Sequence, residues 1–426
     1  MSKWADLANK KWDDLKDTTW REVRLGEYIE TLKGNAFKSS IYKNIGIPVV
    51  RASNFTQESI EKDNIVYIDY DKSYERFILN KRDVLCQTVG SWLNNPNSLV
   101  GKVVRVPHYL DGAYLNQNIV KIIPIEGLNN DFLFYRLKVE DYKHYCVDNA
   151  QGAANQASIT LKTIRRFNFT LPNLEIQEKI ADVLSTYDEL IENNNRRIEI
   201  LEKTAEEIYK EWFVRMRFPG YENTKFIQGI PEEWEVRKFI NKEVNLISSG
   251  INKFEGLKRY MATADVEGIS LKHGEDITFT ERPSRANMQP KENTIWFAKM
   301  QDTIKHLYFR NHSQKLIENI ILSTGFAGIE FKNINHYYYY LSFIRYGIFE
   351  DIKDMYANGS TQVAINNQNI KRIRLLMPDK ELLNAFNNIV ELNFEMIEKY
   401  KEQNQKLIKQ RDLLLPRLMN GTIEVK

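Results

Sequence analysis

Side chains able to read the edges of base pairs gather in short polar loops of this chain. In the first half the candidates are Lys33 and Asn35, Arg51, Ser53 and Asn54, Gln87 and Ser91, Asn116 and Asn118, and Asn155 with Gln156. In the second half they are Asn252 and Lys253, Lys258 and Arg259, Arg282, Arg285 and Asn287, Lys299 and Lys305, and Thr361 with Gln362. Arginine and lysine donate to the N7 and O6 acceptors of guanine, while an Asn or Gln amide matches adenine with one donor and one acceptor. A loop set of this composition has the chemistry of a sequence reader. The same Asn, Ser and Gly residues also make ordinary turns, because their short side chains satisfy nearby backbone groups, and for any single position the turn is the simpler account.

Residues for making and breaking bonds are missing. No glycine-rich phosphate loop, zinc-ligand spacing, Gly-x-Ser-x-Gly elbow or acidic metal-binding loop occurs. Asn95-Pro96 is followed by Asn97, not by the proline and aromatic residue of amino-methyltransferases. Pro378-Asp379 with Glu424-Val425-Lys426 formally matches a nuclease pattern, but its first part opens a helix and its second is the chain end. The histidines (His108, His144, His273, His306, His312, His336) have no nearby second ligand in sequence. Cys86 and Cys146, the only cysteines, are too few for a disulfide scaffold or a cysteine zinc site. The expectation is a binding protein without a metal of its own.

The elements that must hold the loops follow from an internal repeat. Gln156-Ala157-Ser158-Ile159 recurs 206 positions later as Gln362-Val363-Ala364-Ile365, Ile164-Arg165-Arg166 as Ile370-Lys371-Arg372, and Pro172 as Pro378. Trp20-Arg21-Glu22-Val23-Arg24 reads like Trp234-Glu235-Val236-Arg237. Each copy mixes short β-rich runs with turn clusters such as Asn94 to Asn97, and then a helical patch, so each is an α+β domain. The Tyr337 to Tyr340 run aligns with Phe132 to Tyr135, which favours a buried helix face over a base-stacking surface.

Each copy closes on a long helix with a heptad seam. In the first, Ile180, Tyr187, Asn194, Leu201 and Ile208 recur every seven residues, with Leu184, Ile191, Ile198, Ala205 and Trp212 four residues on. The repeat shift carries these to Phe386, Asn393, Tyr400, Leu407 and Leu414, and to Val390, Ile397, Asn404, Arg411 and Leu418. The second seam is more polar, which predicts looser pairing there. With a whole domain between them, the helices can pair antiparallel within one molecule; a coiled coil between two chains is the competing arrangement. Flush antiparallel pairing would set Leu201 beside Ile397, Ile208 beside Val390, Ile191 beside Leu407, Leu184 beside Leu414, and Asn194 beside Asn404. Two seam amides that meet hydrogen-bond in one register alone. Cysteines placed at 194 and 404 are therefore expected to cross-link within the monomer, and cross-linking one heptad away instead would show that the seam does not set the register.

The predicted organisation is a lead-in helix over 1–19, an α+β domain over 20–172, a helix over 173–215, a second α+β domain over 216–378 and a second helix over 379–426. The net charge is only +3. Its distribution is uneven: 175–212 carries eleven acidic against five basic side chains and 379–426 is balanced, which leaves a net +9 elsewhere. A polyanion could use that excess, and scattered surface charge is the plainer alternative. No apolar run is long enough to span a bilayer and the first residues lack signal-peptide order, so a cytoplasmic protein away from membranes is expected. A pseudo-two-fold chain suits a pseudo-two-fold partner such as double-stranded DNA.

Leu171-Pro172-Asn173-Leu174-Glu175-Ile176-Gln177-Glu178-Lys179-Ile180, continuing through Leu184 to Asn194 and on to Tyr209-Lys210-Glu211-Trp212-Phe213, resembles the central conserved region of type I restriction-modification specificity (S) subunits. Leu413-Leu414-Leu415-Pro416-Arg417-Leu418-Met419-Asn420-Gly421 resembles the end of their distal conserved region, and Ile230-Pro231-Glu232-Glu233-Trp234 the opening of a second target-recognition domain. The resemblance covers nearly the whole chain. It implies two target-recognition domains, each reading half of a split target, with the helices as a spacer on which two methyltransferase (M) subunits dock. S-adenosylmethionine, and ATP and Mg with the restriction (R) subunits, would be bound by those partners. Two other classes remain: an enzyme in its own right, which would methylate or cut DNA alone, and a free-standing bipartite DNA-binding or scaffold protein without methyltransferase partners.

Overall fold

The computed structural model describes residues 20–56, 58–62, 64–92, 98–153, 156–271, 274–310, 313–359 and 363–425. The predicted lead-in helix over 1–19, the turn at Asn94 to Asn97 and the candidates Asn155, Thr361 and Gln362 lie outside these residues. The chain forms two compact units, Met1–Asn193 with Gln403–Lys426, and Asn194–Glu402. The division falls inside both long helices, Leu174–Tyr209 and Lys380–Met419, so each unit owns a part of each. Among the described residues no helix is long and apolar enough to cross a membrane.

In the first unit Trp20–Arg24 pairs antiparallel with Asn168–Pro172, which ties the start of the globular part to the strand that leads into the long helix. A four-stranded sheet follows the order Ile29–Lys33, Ile119–Pro124, Val84–Gln87, Val103–Arg105. A second sheet runs Val66–Ile68, Ile47–Val50, Tyr114–Leu115, the last two parallel. Alternation of side chains across the central strands divides the interior between two cores. Val84, Cys86, Val103, Val120 and Ile122 join the core beneath the helices Asn130–Lys138 and Glu140–Asp148, while Leu85, Val104 and Ile119 join the other. Every residue of Val84–Gln87 is buried for this reason.

The second unit repeats the plan. Glu235–Lys238 pairs with Arg374–Met377, and the four-stranded order is Val244–Leu246, Phe326–Phe331, Thr294–Ala298, His306–Phe309. Lys258–Met261 runs parallel to Ile320–Ser323, as Ile47–Val50 does to Tyr114–Leu115. Along Thr294–Ala298, Ile295 and Phe297 face one core and Trp296 and Ala298 the other. Gly328 is required where the Trp296 indole lies against it, since a Cβ there would come within 2.6 Å of the ring. Tyr337 to Tyr340 are all buried in the helix Tyr337–Arg345.

Within each unit the long helices run antiparallel. In the second, Arg197 lies 5.5 Å from the Tyr400 ring and Trp212 5.9 Å from the Phe386 ring. In the first, Asp188 meets Arg411 at 2.7 Å. All three contacts fall within one position of flush alignment. Ile180, Leu184, Val390 and Ile397 are buried, Ile191, Leu201, Ile208, Leu407 and Leu414 half-buried. Arg411, which as a seam residue predicts loose pairing, instead braces its unit. Its side chain is 5% exposed and also reaches Glu58 at 2.7 Å, because a buried guanidinium is tolerable where carboxylates surround it.

Candidate nucleic-acid interface

Three loops distant in sequence meet at one point of the first unit. The Thr88 N–H and hydroxyl both donate to the Asn118 carbonyl at 3.0 Å, and the Ile159 N–H donates to the Thr88 carbonyl at 2.9 Å. The loops after Val84–Gln87, before Ile119–Pro124 and after Gln156–Ser158 are thereby knotted together, and Val89–Gly90 adds a strand pairing with Ala157–Ser158. The second unit ties the same knot with different residues. Lys299 N–H donates to the Gly325 carbonyl at 2.9 Å, and Ile365 N–H to the Lys299 carbonyl at 2.9 Å.

Burial sorts the candidates of the first unit. Asn54, Gln87 and Asn116 are almost wholly buried. The Asn54 side chain accepts from the Arg51 N–H at 3.0 Å, and the Gln87 amide donates to the Val89 carbonyl at 2.8 Å, so both shape their own loops. Asn116 pairs with Asn35 in a parallel bridge so close that a Cβ on Gly34 would stand 2.0 Å from the Asn116 carbonyl oxygen. Arg51 donates to the Asn64 carbonyl. Lys33, Ser53 and Gln156 are exposed, and Ser91 and Asn118 half-buried.

In the second unit, cations and rings alternate. Lys258 lies 5.1 Å from the Phe254 ring, Phe254 meets Phe279 edge-on at 5.6 Å, and the Arg282 guanidinium covers Phe279 at 4.1 Å. Stacking of this kind holds a cation by the ring quadrupole while leaving its outer face open. Arg285 is exposed, and its carbonyl accepts from the N–H groups of Asn287 and Thr324, both at 2.9 Å. The Asn287 carbonyl accepts from Gly250, two residues before the exposed pair Asn252 and Lys253. Arg259 is exposed beside Asp276 at 3.4 Å, and the Lys305 ammonium donates to the Thr263 carbonyl at 2.5 Å.

Two lysines near the knots are held below their ordinary pKa. Burial does this for Lys299. For Lys102 burial and then the Lys138 charge push it down to about 8. Removal from water disfavours the ammonium form, so both shifts run downward. Sequence reasoning passes over Lys102 because it sits in the apolar run Val100 to Val106; burial is the signal that finds it. It also misses the network behind the site. Arg105 bridges Asp131 and Asp188, both at 2.8 Å, Arg82 reaches Asp131 at 2.9 Å and Glu189 at 3.2 Å, and Tyr135 donates to Asp188 at 2.6 Å. Among the described residues no group of three His, Cys, Asp or Glu side chains could hold a metal ion.

The sequence model of the type I restriction modification DNA specificity domain matches residues 17–203. The MjaIX specificity subunit of a type I restriction enzyme from Methanocaldococcus jannaschii is 27% identical over 328 residues, which cover 73% of this chain and 73% of that protein. The HindI specificity subunit from Haemophilus influenzae is 22% identical over 388 residues, covering 76% and 84%. The crystal structure of a type I restriction-modification S subunit from M. genitalium matches with a TM-score of 0.56 at 18% identity, over 95% of this chain and 97% of that one. At that identity the structural likeness is one of fold.

Proposed function

We infer the function from a plain premise: this chain belongs to the type I restriction-modification specificity subunits. Its role is to read a bipartite DNA target, one block per unit, and to present that target to adenine methyltransferase and restriction subunits. The observation that carries this reading is the loop knot built twice on equivalent strands with different side chains around it: Thr88 and Asn118 in one unit, Lys299 and Gly325 in the other. A common scaffold with exchanged lining is what two readers of unlike sequence need. Phosphate contacts from the basic side chains would place the duplex, and the exposed loop residues would meet base edges.

The chain itself contributes recognition and no catalytic group. Two M subunits docked on the long helices would bring S-adenosylmethionine, and R subunits would bring ATP and Mg. The specified blocks should lie near one duplex turn apart, roughly 10 base pairs centre to centre. Co-expression with the M subunit and sequencing of methylated adenines tests this: a bipartite motif is expected, and a single continuous motif would refute it. Methylation or cleavage by the purified chain alone would instead make it an enzyme.

Arg285 and Arg282 separate reading from holding. Arg285→Ala, at an exposed side chain on an anchored backbone, is expected to cost about 1 to 3 kcal/mol of binding and to relax one position of one block if it reads guanine. Arg282→Ala, if the stacked guanidinium serves a phosphate, should weaken all sequences alike and reduce the salt dependence. Titration of labelled duplexes at two salt concentrations distinguishes the two, and unchanged affinity in both variants would remove this loop from the interface.

A further inference from the structure

The second unit buries a lysine completely. Lys353 lies on the helix Gly347–Met355 with none of its side chain exposed. Its ammonium pairs with Glu350, donates to the Thr303 carbonyl at 3.0 Å and lies 3.7 Å from Asp354. The other Glu350 oxygen is 2.8 Å from His306 Nε2, and both of those side chains are at most a tenth exposed. The Asp302 N–H donates to Asp354 at 3.1 Å. Glu350, Lys353 and Asp354, spaced to share one helix face, therefore grip Asp302, Thr303 and His306. Those three belong to the loop that carries Lys299 and Lys305 and to the first residue of the strand after it.

A buried ion cluster is a poor way to gain stability, since packed apolar side chains of like volume stabilise as well or better. The first unit illustrates the apolar choice. On its equivalent helix Glu140–Asp148, Cys146 and Val147 stand where the second unit has Lys353 and Asp354, and the equivalent strand opens with Val103 in place of His306. The charged version adds direction: a lysine donates along fixed lines to a loop carbonyl, which an apolar contact cannot do. The loop is pinned at its far side by the Lys299 bonds to Gly325 and Ile365.

We propose that Lys353 is a positioning residue for target reading. Through Thr303, and with Glu350, Asp354 and His306, it sets the path of residues 299–305 so that their basic side chains meet one set of bases, and the choice of the second block depends on a buried charge that touches no DNA. This rests on the function proposed above. The test is methylated-adenine sequencing of cells expressing the full chain with its M subunit, carrying Lys353→Met or Asp354→Ala, with thermal melting of each purified chain. Both variants are expected to lose roughly tenfold or more of their preference at positions of the block that follows residues 216–378, and to leave the other block unchanged. An unchanged motif in Lys353→Met overturns the proposal, as does broadening that falls equally on both blocks. Where Lys353→Met fails to fold, Asp354→Ala decides by the same criteria, since Asp354 lies at the edge of the cluster and is about a fifth exposed. Failure of the underlying reading is distinguishable, because the wild-type chain would then yield no bipartite motif.

Discussion

Asp188→Ala is expected to lower the unfolding free energy of the first unit by roughly 3–5 kcal/mol, the range for breaking a buried ion pair from one side. Asp188 is the anion between two guanidiniums, Arg105 at 2.8 Å and Arg411 at 2.7 Å, whose side chains are 14% and 5% exposed. Its loss leaves two desolvated cations whose remaining carboxylate partners are Asp131 for Arg105, and Glu58 and Asp412 for Arg411. Glu58 and Asp412 are 42% and 53% exposed and screened by water, so they compensate little. Asp188→Asn, which keeps the shape and a hydrogen-bond acceptor, should cost less. Denaturant melts followed by circular dichroism check this, and an unchanged first transition would show that the network is dispensable.

The same groups fix the sign of the acid response. Burial alone would raise the carboxyls of Asp188 and Glu58, but nearby cations outweigh it and hold both below their ordinary values: Arg105 and Arg411 for Asp188, Lys138 and Arg411 for Glu58. A group depressed in the folded state contributes stability that is fully present above its unfolded pKa, near 4, and lost as the pH falls through its folded value. The first unit of wild type should therefore lose stability on acidification below that point, and Asp188→Ala should flatten the dependence.

Exchanging residues 20–172 for the corresponding domain of another S subunit is expected to replace one block of the methylated motif outright and leave the other intact. The structural ground is the closure of that segment on itself. Trp20 stands opposite Pro172 in the strand pair Trp20–Arg24 and Asn168–Pro172, so the cut points are adjacent and the recognition loops lie between them. Each mismatched base pair commonly costs about 1–3 kcal/mol, so replacing the readers of a whole block amounts to a change of target rather than a weakening. Motif sequencing of the chimera would contradict the expectation if both blocks moved or neither did. A chimera that folds poorly would point to Arg105 and Tyr135, which reach Asp188, and to Glu58, which reaches Arg411, as contacts the donor domain must supply.

Much of the architecture is legible in the chain because it is periodic. Heptads announce the long helices, the 206-residue shift announces two units of one plan, and the alignment of Tyr337 to Tyr340 with Phe132 to Tyr135 identifies a buried helix face that composition alone would make a stacking surface. Period and repeat are properties of neighbours along the chain, and the backbone turns them directly into helices and strands. Which polar residues face outward has no such local signature. Asn54, Gln87 and Asn116 look like Gln156 and Asn118 in sequence, yet the first three are buried, Asn54 and Gln87 with their side chains bonded to backbone groups of their own loops. Arg411 reads as a flaw in a seam until Glu58 and Asp188, 353 and 223 positions away, surround it. Lys353 reads as one more surface cation of an amphipathic helix until Thr303 and Glu350 enclose it. The sequence by itself determined the repeat, the helices and the chemistry available for reading DNA. Only the tertiary structure decided which side chains keep that chemistry for a partner and which use it on the protein, because the cost of burying a polar group depends on partners that the chain supplies from far away.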